Sequence, residues 1–180
     1  MQAPAQNNNN IAFAIDGSSE SLSMAFFKDE SLIDSIFIEK AIHSVAIIST
    51  FDALLKKNNL NLSDIKSLYV TIGPGRYSSL RVTLSTIKGL FFGFCGLVYC
   101  INSIDLIAAN CYNKNSIVVI KKTSKGEIAQ CYSVNEIVKR LDGCNKNYQK
   151  YNGFPDIKNL FRIDKNLFIK CSLSNIKLIY

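Results

Sequence analysis

The chain has few of the residues from which metal sites and hydrolytic triads are built. It contains a single histidine, His43, and none of its six cysteines belongs to a Cys-x-x-Cys pair. Zinc sites draw on closely spaced pairs of these two residue types, so we predict no metal site. Spacing alone supports no Ser-His-Asp triad, although one histidine does not exclude it. The only acidic neighbour of His43 at helical spacing is Glu39, which favours an ordinary helix-surface histidine over a ligand.

Long apolar runs are also missing. The longest are far below the roughly 18 residues that span a bilayer, so we predict no membrane segment. Residues 1–10, MQAPAQNNNN, have neither the basic start nor the apolar middle of a signal peptide, and we expect a disordered tail. We accordingly expect a cytoplasmic protein whose cysteines are reduced and, for the most part, buried.

The glycine loop Gly73-Pro74-Gly75-Arg76 lacks the Gly-Lys-Ser/Thr ending of a phosphate-binding P-loop. Its two glycines permit backbone angles that are closed to other residues, and Pro74 fixes its own. These residue types favour a sharp corner, followed by a helix with Ser78 as its N-cap. A phosphate site is the second interpretation, because Arg76 has no part in a simple corner.

The net charge of +7 comes entirely from the carboxyl-terminal part of the chain. Residues 1–112 carry a net charge of −1 and residues 113–180 carry +8. A basic lobe beside a neutral one indicates contact with nucleic acid or an acidic partner, with Lys121, Lys122 and Lys125 as candidate RNA contacts. The alternative is a codon bias, since lysine, asparagine and isoleucine are all abundant.

Apolar runs separated by turns predict an α/β protein. We expect strands at 11–15, 22–27, 32–39, 67–72, 97–102, 116–120 and 127–134, and helices at 40–57, 78–95, 103–112 and 135–141. The first three strands read as an antiparallel meander. The later strand–helix–strand passage implies parallel neighbours and a right-handed crossover. The polar region 142–166 gives no clear element.

Both long helices have too little polar surface for a helix that is covered on one side only. In the helix after the glycine loop, one side carries a bulky stripe formed by Leu80, Leu84, Ile87, Phe91 and Phe94. The opposite side carries glycines, including Gly89 and Gly93, and glycine in a helix costs about 1 kcal/mol relative to alanine. Close approach of another backbone would explain this cost. Periodicity does not separate a docked partner from packing within the chain.

The turn Asp16-Gly17-Ser18-Ser19 follows the first predicted strand. An aspartate followed by glycine and hydroxyls can hold a hydrated metal and a phosphate. Short Asp-Gly turns are common, however, so the pattern is weak by itself.

The order of these features resembles the TsaB (YeaZ) family over residues 11–112. The resemblance lies in IAFAIDGSSESLSMAFF, in IHS at the start of the first helix, and in IGPGRYSSLRVTLSTIKGL. The matching positions are Asp16, Ser18, Ser19, His43, Ser44, Ile72, Gly73, Pro74, Gly75, Leu80, Arg81, Lys88, Gly89 and Leu90.

The resemblance implies an actin-like, sugar-kinase-like (ASKHA) fold of the ribonuclease-H type, with a first lobe at 11–112 and a shortened second lobe at 113–180. It also implies a non-catalytic subunit for making threonylcarbamoyladenosine beside the tRNA anticodon. A TsaD-like subunit would be the catalyst, a TsaE-like ATPase would join, and tRNA would be met indirectly. In isolation we expect a homodimer. The implied docking residues are His43, Ser44, Ile47, Arg81, Ser85, Lys88, Gly89, Phe92 and Gly93.

The chain departs from the family pattern in two places. Arg76, Tyr77, Ser78 and Ser79 stand where the family shows Ser, Phe, Thr and Gly. In the second lobe the family's aspartate is absent, and Lys121 and its neighbours surround its place. The lobe also lacks an adenosine-holding glycine segment, so nucleotide binding has poor support and we expect no tightly bound cofactor. A small actin-like-fold ATPase or kinase is the alternative function, and a peptidase is the weakest one.

Overall fold

The computed structural model describes residues 10–111, 116–123, 126–142, 149–151, 153 and 155–179. Its strands are β1 (Ile11–Asp16), β2 (Leu22–Lys28), β3 (Ser31–Ile38), β4 (Ile65–Gly73), β5 (Leu97–Asn102), β6 (Ser116–Thr123), β7 (Gly126–Val134), β8 (Val138–Leu141), β9 (Gln149–Tyr151) and β10 (Ile169–Cys171). Its α-helices are α1 (His43–Lys57), α2 (Tyr77–Leu90) and α3 (Ser103–Ala109), and 3-10 turns occupy Leu62–Asp64, Ile157–Arg162, Lys165–Leu167 and Leu173–Asn175.

The first sheet has six strands in the order β10-β5-β4-β1-β2-β3. β1, β2 and β3 form the predicted antiparallel meander, and β4 runs parallel to both β1 and β5. All six residues of β1 are buried, because helices or the second sheet cover both faces of this central strand. The strand pairing thus confirms the predicted meander and the predicted parallel neighbours.

Helices α1 and α2 cover one face of this sheet. The predicted stripe on α2 is confirmed, since Leu80 and Ile87 are fully buried. The ring of Phe13 in β1 lies 4.7 Å from that of Phe51 in α1, and Phe51 lies 5.7 Å from Phe91. Burial of such aromatic rings contributes the largest share of free energy per residue in a core of this size.

The other face of the first sheet packs on α3 and the second sheet. The second sheet has the order β8-β7-β6-β9. Small side chains on β1, Ala12 and Ala14, lie in one cluster with α3 and with Val119 and Tyr132 of the second sheet. Every residue of α3 is buried, because the helix lies between the two sheets.

Two predicted helices differ from the structure, one in its existence and the other at both of its ends. Residues 135–141 do not form a helix, because β7 turns back at Val134 and Val138 pairs opposite it to start β8. Helix α2 ends at Leu90 rather than near 95, and Gly93 beyond it has a φ of +77°. The helix also begins one residue early, with Arg76 at the N-cap position in place of Ser78.

The end of the chain returns to the first sheet, although the sequence analysis assigned all of 113–180 to the second lobe. Strand β10 pairs antiparallel with β5 at the sheet edge. Beyond it, Ile176 is buried in the core that α2 covers. The backbone N–H of Ile179 then donates a 2.7 Å hydrogen bond to the carbonyl of Ile72.

Two expectations from composition can be compared with the structure. None of the helices in the described ranges has the length and hydropathy of a membrane span. The prediction of six reduced cysteines is wrong at Cys131, which is disulfide-bonded although it is buried in β7.

Candidate functional site

The two loops singled out in the sequence lie against each other at the carboxyl ends of β1 and β4. These strands are parallel neighbours, with Ile15 opposite Val70. The N–H of Arg76 donates to the carbonyl of Ser18 at 2.8 Å. A side chain at Gly75 would collide with that same carbonyl. The glycine loop therefore takes its shape from packing against the Asp16 turn.

Asp16 is fully buried at this junction. Its Oδ2 accepts a long hydrogen bond of 3.4 Å from the N–H of Ser18, and its Oδ1 has no partner. Thr71 in β4 lies close enough to lower the pKa of Asp16, although its own buried Oγ1 makes no well-formed hydrogen bond. Burial dominates and raises the pKa of Asp16 to about 6, against the opposing effect of the Lys121 charge.

Lys121 supplies the nearby positive charge from β6. Its Nζ donates to Ser103 Oγ at 2.9 Å and reaches Ser18 Oγ at 3.5 Å. The Ser103 hydroxyl in turn donates to the carbonyl of Pro74 at 2.6 Å. Burial lowers the pKa of Lys121 to about 8, and the charge of Asp16 opposes that shift. At neutral pH both groups are therefore charged, and each partly neutralises the other. We call Asp16, Ser18, Thr71, Ser103 and Lys121 the inner cluster.

The two charged groups of the inner cluster act on each other. The ammonium of Lys121 lowers the pKa of Asp16, and the carboxylate of Asp16 raises the pKa of Lys121. Across the described ranges, no three His, Cys, Asp or Glu side chains are grouped as metal ligands.

A second polar group lies behind Gly17, at the start of α1. His43 is 7% exposed, its Nδ1 donates to the carbonyl of Ala41 at 3.2 Å, and its Nε2 has no partner. A side chain on Gly17 would collide with Thr83 Oγ1 and would lie 3.0 Å from the His43 ring. Burial lowers the pKa of His43, so the ring is neutral at pH 7. The prediction of a surface histidine is wrong, because the Asp16 turn covers this ring.

Apolar side chains are exposed along α1 and beyond the end of α2. Ile42 is 73% exposed, Ile48 is 55% exposed and Phe92 is 93% exposed. Two grooves open here, and both are lined by Leu62 and Leu90, so they form one continuous strip. The α1–α2 surface is our name for the groove residues Val45, Ile48, Leu62, Leu90, Phe92 and Gly93, together with the exposed Ile42 and Gly89 that neighbour them in the chain.

The described part of the second lobe does not seal this surface. A side chain built on Gly89 or on Gly93 would meet no atom within 4 Å. The nearest part of the carboxyl-terminal segment bonds to the flank of α2, where Lys88 Nζ donates to the carbonyl of Ser174 at 3.2 Å. The strip is therefore open to a second polypeptide.

The docking residues implied by the resemblance fall into two groups. The exposed ones are Ser44, Arg81, Ser85, Gly89, Phe92 and Gly93, while Lys88 is half-buried. Arg81 extends over the ring of Tyr77, with its guanidinium carbon 5.2 Å from the ring centre. His43 and Ile47 are buried, so neither side chain faces a partner.

The three candidate RNA-binding lysines do not form a surface that the structure defines. The ammonium of Lys121 points into the inner cluster. The side chain of Lys122 and the whole of Lys125 lie outside the described residues. RNA contact by this lobe stays a prediction.

Three contributors to these sites were not among the residues predicted from the sequence. Thr71 is part of a predicted strand that is mostly apolar. Thr83 is part of a predicted helix in which only the apolar side chains form a clear pattern. Ser103 follows β5 directly, and its position at the carboxyl edge of a parallel strand was the one available clue.

Solved structures share this arrangement of two sheets. YeaZ from Pseudomonas aeruginosa superposes with a TM-score of 0.78 over 95% of this chain and 99% of that chain, at 13% identity. A crystal structure of an uncharacterized Pseudomonas aeruginosa protein with similarity to peptidase YEAZ gives the same values. The likeness shows an α/β protein of the actin-like, sugar-kinase-like (ASKHA) fold, as the sequence predicted.

The family is defined by sequence. The model of the family described as TsaD, tRNA N6-adenosine threonylcarbamoyltransferase, matches residues 38–148, which is more than half of the chain. The chain therefore belongs to this family. Within it, the chain is similar to the proteins named TsaB or YeaZ. Bacillus subtilis TsaB is 28% identical over 98 residues, covering 54% of this chain and 43% of the relative. Buchnera aphidicola TsaB is 26% identical over 89 residues, covering 46% and 40%. The matches thus span less than half the length of these curated relatives.

Proposed function

We propose that this chain is a non-catalytic subunit of the machinery that forms threonylcarbamoyladenosine beside the tRNA anticodon. Its relatives carry the name of tRNA threonylcarbamoyladenosine biosynthesis proteins. In this proposal the chain acts in the cytoplasm and docks on a TsaD-like catalytic subunit. A TsaE-like ATPase joins the pair, and tRNA is met through the complex.

The open α1–α2 surface is the observation that carries this proposal. Large apolar side chains such as Phe92, which is 93% exposed, contribute to stability only when another surface covers them. Contiguous exposed apolar strips mark protein–protein contacts in folded domains. Gly89 and Gly93 also leave space for a second backbone to come close.

The inner cluster supports an accessory role. Its charged groups, Asp16 and Lys121, act on each other, so neither is set aside for a substrate. We propose that the cleft takes up no Mg-ATP. Calorimetry with millimolar Mg-ATP tests this directly, and absence of heat is the expected result. Heat that disappears in Asp16→Asn would favour the ATPase or kinase alternative instead.

Docking is tested by pulling down the cognate TsaD-like subunit with the purified chain. Ile48→Asp places a charge in the middle of the α1–α2 surface, where the wild-type side chain is 55% exposed and so has little role in folding. We expect affinity to fall about tenfold or more, because a buried unpaired charge is costly at an interface.

Ile137→Asp is the matched control. Ile137 is 50% exposed in the turn between β7 and β8, away from α1 and α2. Normal capture of the partner by Ile137→Asp, together with its loss in Ile48→Asp, supports the proposed surface. Equal capture by both folded variants argues against it.

In isolation, we propose that the same strip pairs two copies of the chain. Light scattering on the purified protein should then give a dimer, and Ile48→Asp should give a monomer. A wild-type monomer would remove the homodimer from the proposal without affecting the docking test.

A further inference from the structure

Two cysteine side chains meet where the carboxyl-terminal strand joins the first sheet. Cys100 Sγ in β5 and Cys171 Sγ in β10 are 3.1 Å apart, and both are reduced. Cys100 lies opposite Ile169 and Cys171 lies opposite Val98, so the two cysteines are diagonal neighbours on one face of the sheet. The proposed docking function does not use them.

We propose that Cys100 and Cys171 are a reversible disulfide site that fastens the carboxyl-terminal segment to the first sheet. The pair spans 71 residues of sequence, so the bond would close most of the second lobe into one covalent loop. Cys171 is half-buried and can meet a small oxidant, whereas Cys100 is only 3% exposed.

The segment that follows β10 is the part that this bond would hold. Strand β10 is only three residues long, so its pairing with β5 is a short attachment to the sheet edge. Further along, the segment bonds through Ile179 to Ile72 and through Ser174 to Lys88. A side chain at Gly73 would collide with the carbonyl of Ile179, so the segment lies directly on the glycine loop. Oxidation would thus restrict motion beside both the inner cluster and the flank of α2.

The reaction needs a small-molecule disulfide such as oxidised glutathione. The thiolate of Cys171 attacks one sulfur of this oxidant, forms a mixed disulfide and releases one glutathione thiolate. Cys100 then loses its proton and attacks the Cys171 sulfur of the mixed disulfide, which releases the second glutathione. The two protein thiols lose two protons and two electrons, and one oxidised glutathione becomes two reduced molecules.

Access decides the order of these steps. Burial and the neighbouring thiol raise the pKa of Cys100, so its thiolate is scarce and the second step is the slow one. The half-buried Cys171 is the sulfur that the oxidant reaches first. We expect formation of the bond to speed up with rising pH.

The test uses the full chain in a Cys95→Ser background, because the exposed Cys95 would otherwise consume oxidant. The protein is incubated with oxidised glutathione and digested without reductant, and the peptides are weighed. We expect a Cys100–Cys171 peptide pair that lacks two hydrogens and separates on reduction. Hydrogen exchange at the Ile179 amide should slow about tenfold on oxidation and recover with dithiothreitol.

Cys171→Ser is the matched control, because it keeps the existing disulfide of Cys131. Changes that also occur in this variant belong to Cys131 and count against the proposal. Three further outcomes overturn it: glutathione that stays on Cys171 because Cys100 does not displace it, a Cys100–Cys171 link that forms only in urea, or a link that leaves Ile179 exchange unchanged.

Discussion

Lys121 Nζ, in the second sheet, donates a 2.9 Å hydrogen bond to Ser103 Oγ at the start of α3. The Ser103 hydroxyl in turn donates a hydrogen bond to the carbonyl of Pro74 in the glycine loop. The charge of Lys121 also acts on Asp16, at the end of β1. A single ammonium thus connects three elements of the fold at the carboxyl ends of β1 and β4.

The burial of Asp16 predicts a specific pH dependence of stability. Its pKa rises from 3.8 to about 6 on folding, so between these values the folded protein holds a proton that the unfolded chain has released. The free energy of unfolding therefore falls as pH rises from 4 to 6, by about 2 kcal/mol from this group. Asp16→Asn should remove this fall, which urea unfolding at pH 4, 5 and 6 would measure.

The acid window keeps this comparison clean, because Lys121 has a pKa of about 8 in the wild type and stays protonated there between pH 4 and 6. Wild type and variant have all other carboxyl groups in common. The difference between their profiles of unfolding free energy against pH therefore reports on Asp16. Parallel profiles would mean that Asp16 titrates at its ordinary pKa and that the inner cluster is hydrated.

Local patterns were enough to predict the parts of the fold that depend on neighbouring residues. The apolar runs of β1, β2 and β4 and the stripe on α2 follow from periodicities of 2 and 3.6 residues. The turn after β1 and the glycine loop after β4 were predicted to be special because glycine and proline restrict or widen the backbone angles there. Their contact follows once the two strands are parallel neighbours.

Three of the errors share one cause, which is contact with residues outside the segment that was predicted. Lys121 points inward because its ammonium reaches the hydroxyl of Ser18, next to the charge of Asp16. Ser18 is 103 residues earlier in the chain. His43 is buried because the turn at Gly17 covers it. The 135–141 segment has an apolar spacing that suits a helix, but pairing with β7 fixes it as a strand.

The two glycines of the α1–α2 surface predict opposite effects of one substitution. Gly89 lies within α2 and faces open space, so Gly89→Ala should raise the free energy of unfolding by up to about 1 kcal/mol through helix propensity. Gly93 has a φ of +77°, so Gly93→Ala should lower it by about 1–2 kcal/mol. Denaturant unfolding of both variants tests this, and changes of equal sign would contradict the backbone assignment.

The buried hydroxyl of Thr83 predicts a stabilising change. Thr83 is 1% exposed and its Oγ1 has no partner, so it carries a desolvation cost without a hydrogen bond. Thr83→Val keeps the branched shape and should raise the free energy of unfolding by about 1 kcal/mol. Thr86→Val, on the more exposed side of the same helix, controls for propensity. A destabilised Thr83→Val protein would mean that the hydroxyl is bound, for example by water.

The ion pair between Asp105 and Arg140 predicts the largest loss. Arg140 donates to both carboxylate oxygens of the fully buried Asp105 at 2.7 Å, and Tyr132 adds a third bond of 2.7 Å. Arg140→Met leaves a buried charge without a counter-ion and should cost about 3–5 kcal/mol in urea unfolding. Tyr132→Phe removes one hydrogen bond and should cost about 1 kcal/mol.

The double variant Asp105→Asn with Arg140→Met separates the cost of an unpaired charge from the loss of the pair itself. Because it buries no charge, it should recover most of the stability that Arg140→Met loses. A double variant as unstable as Arg140→Met would show that the pair itself holds α3 against the second sheet. In that case the ion pair also holds the start of α3 in the position where Ser103, two residues before Asp105, accepts the hydrogen bond from Lys121.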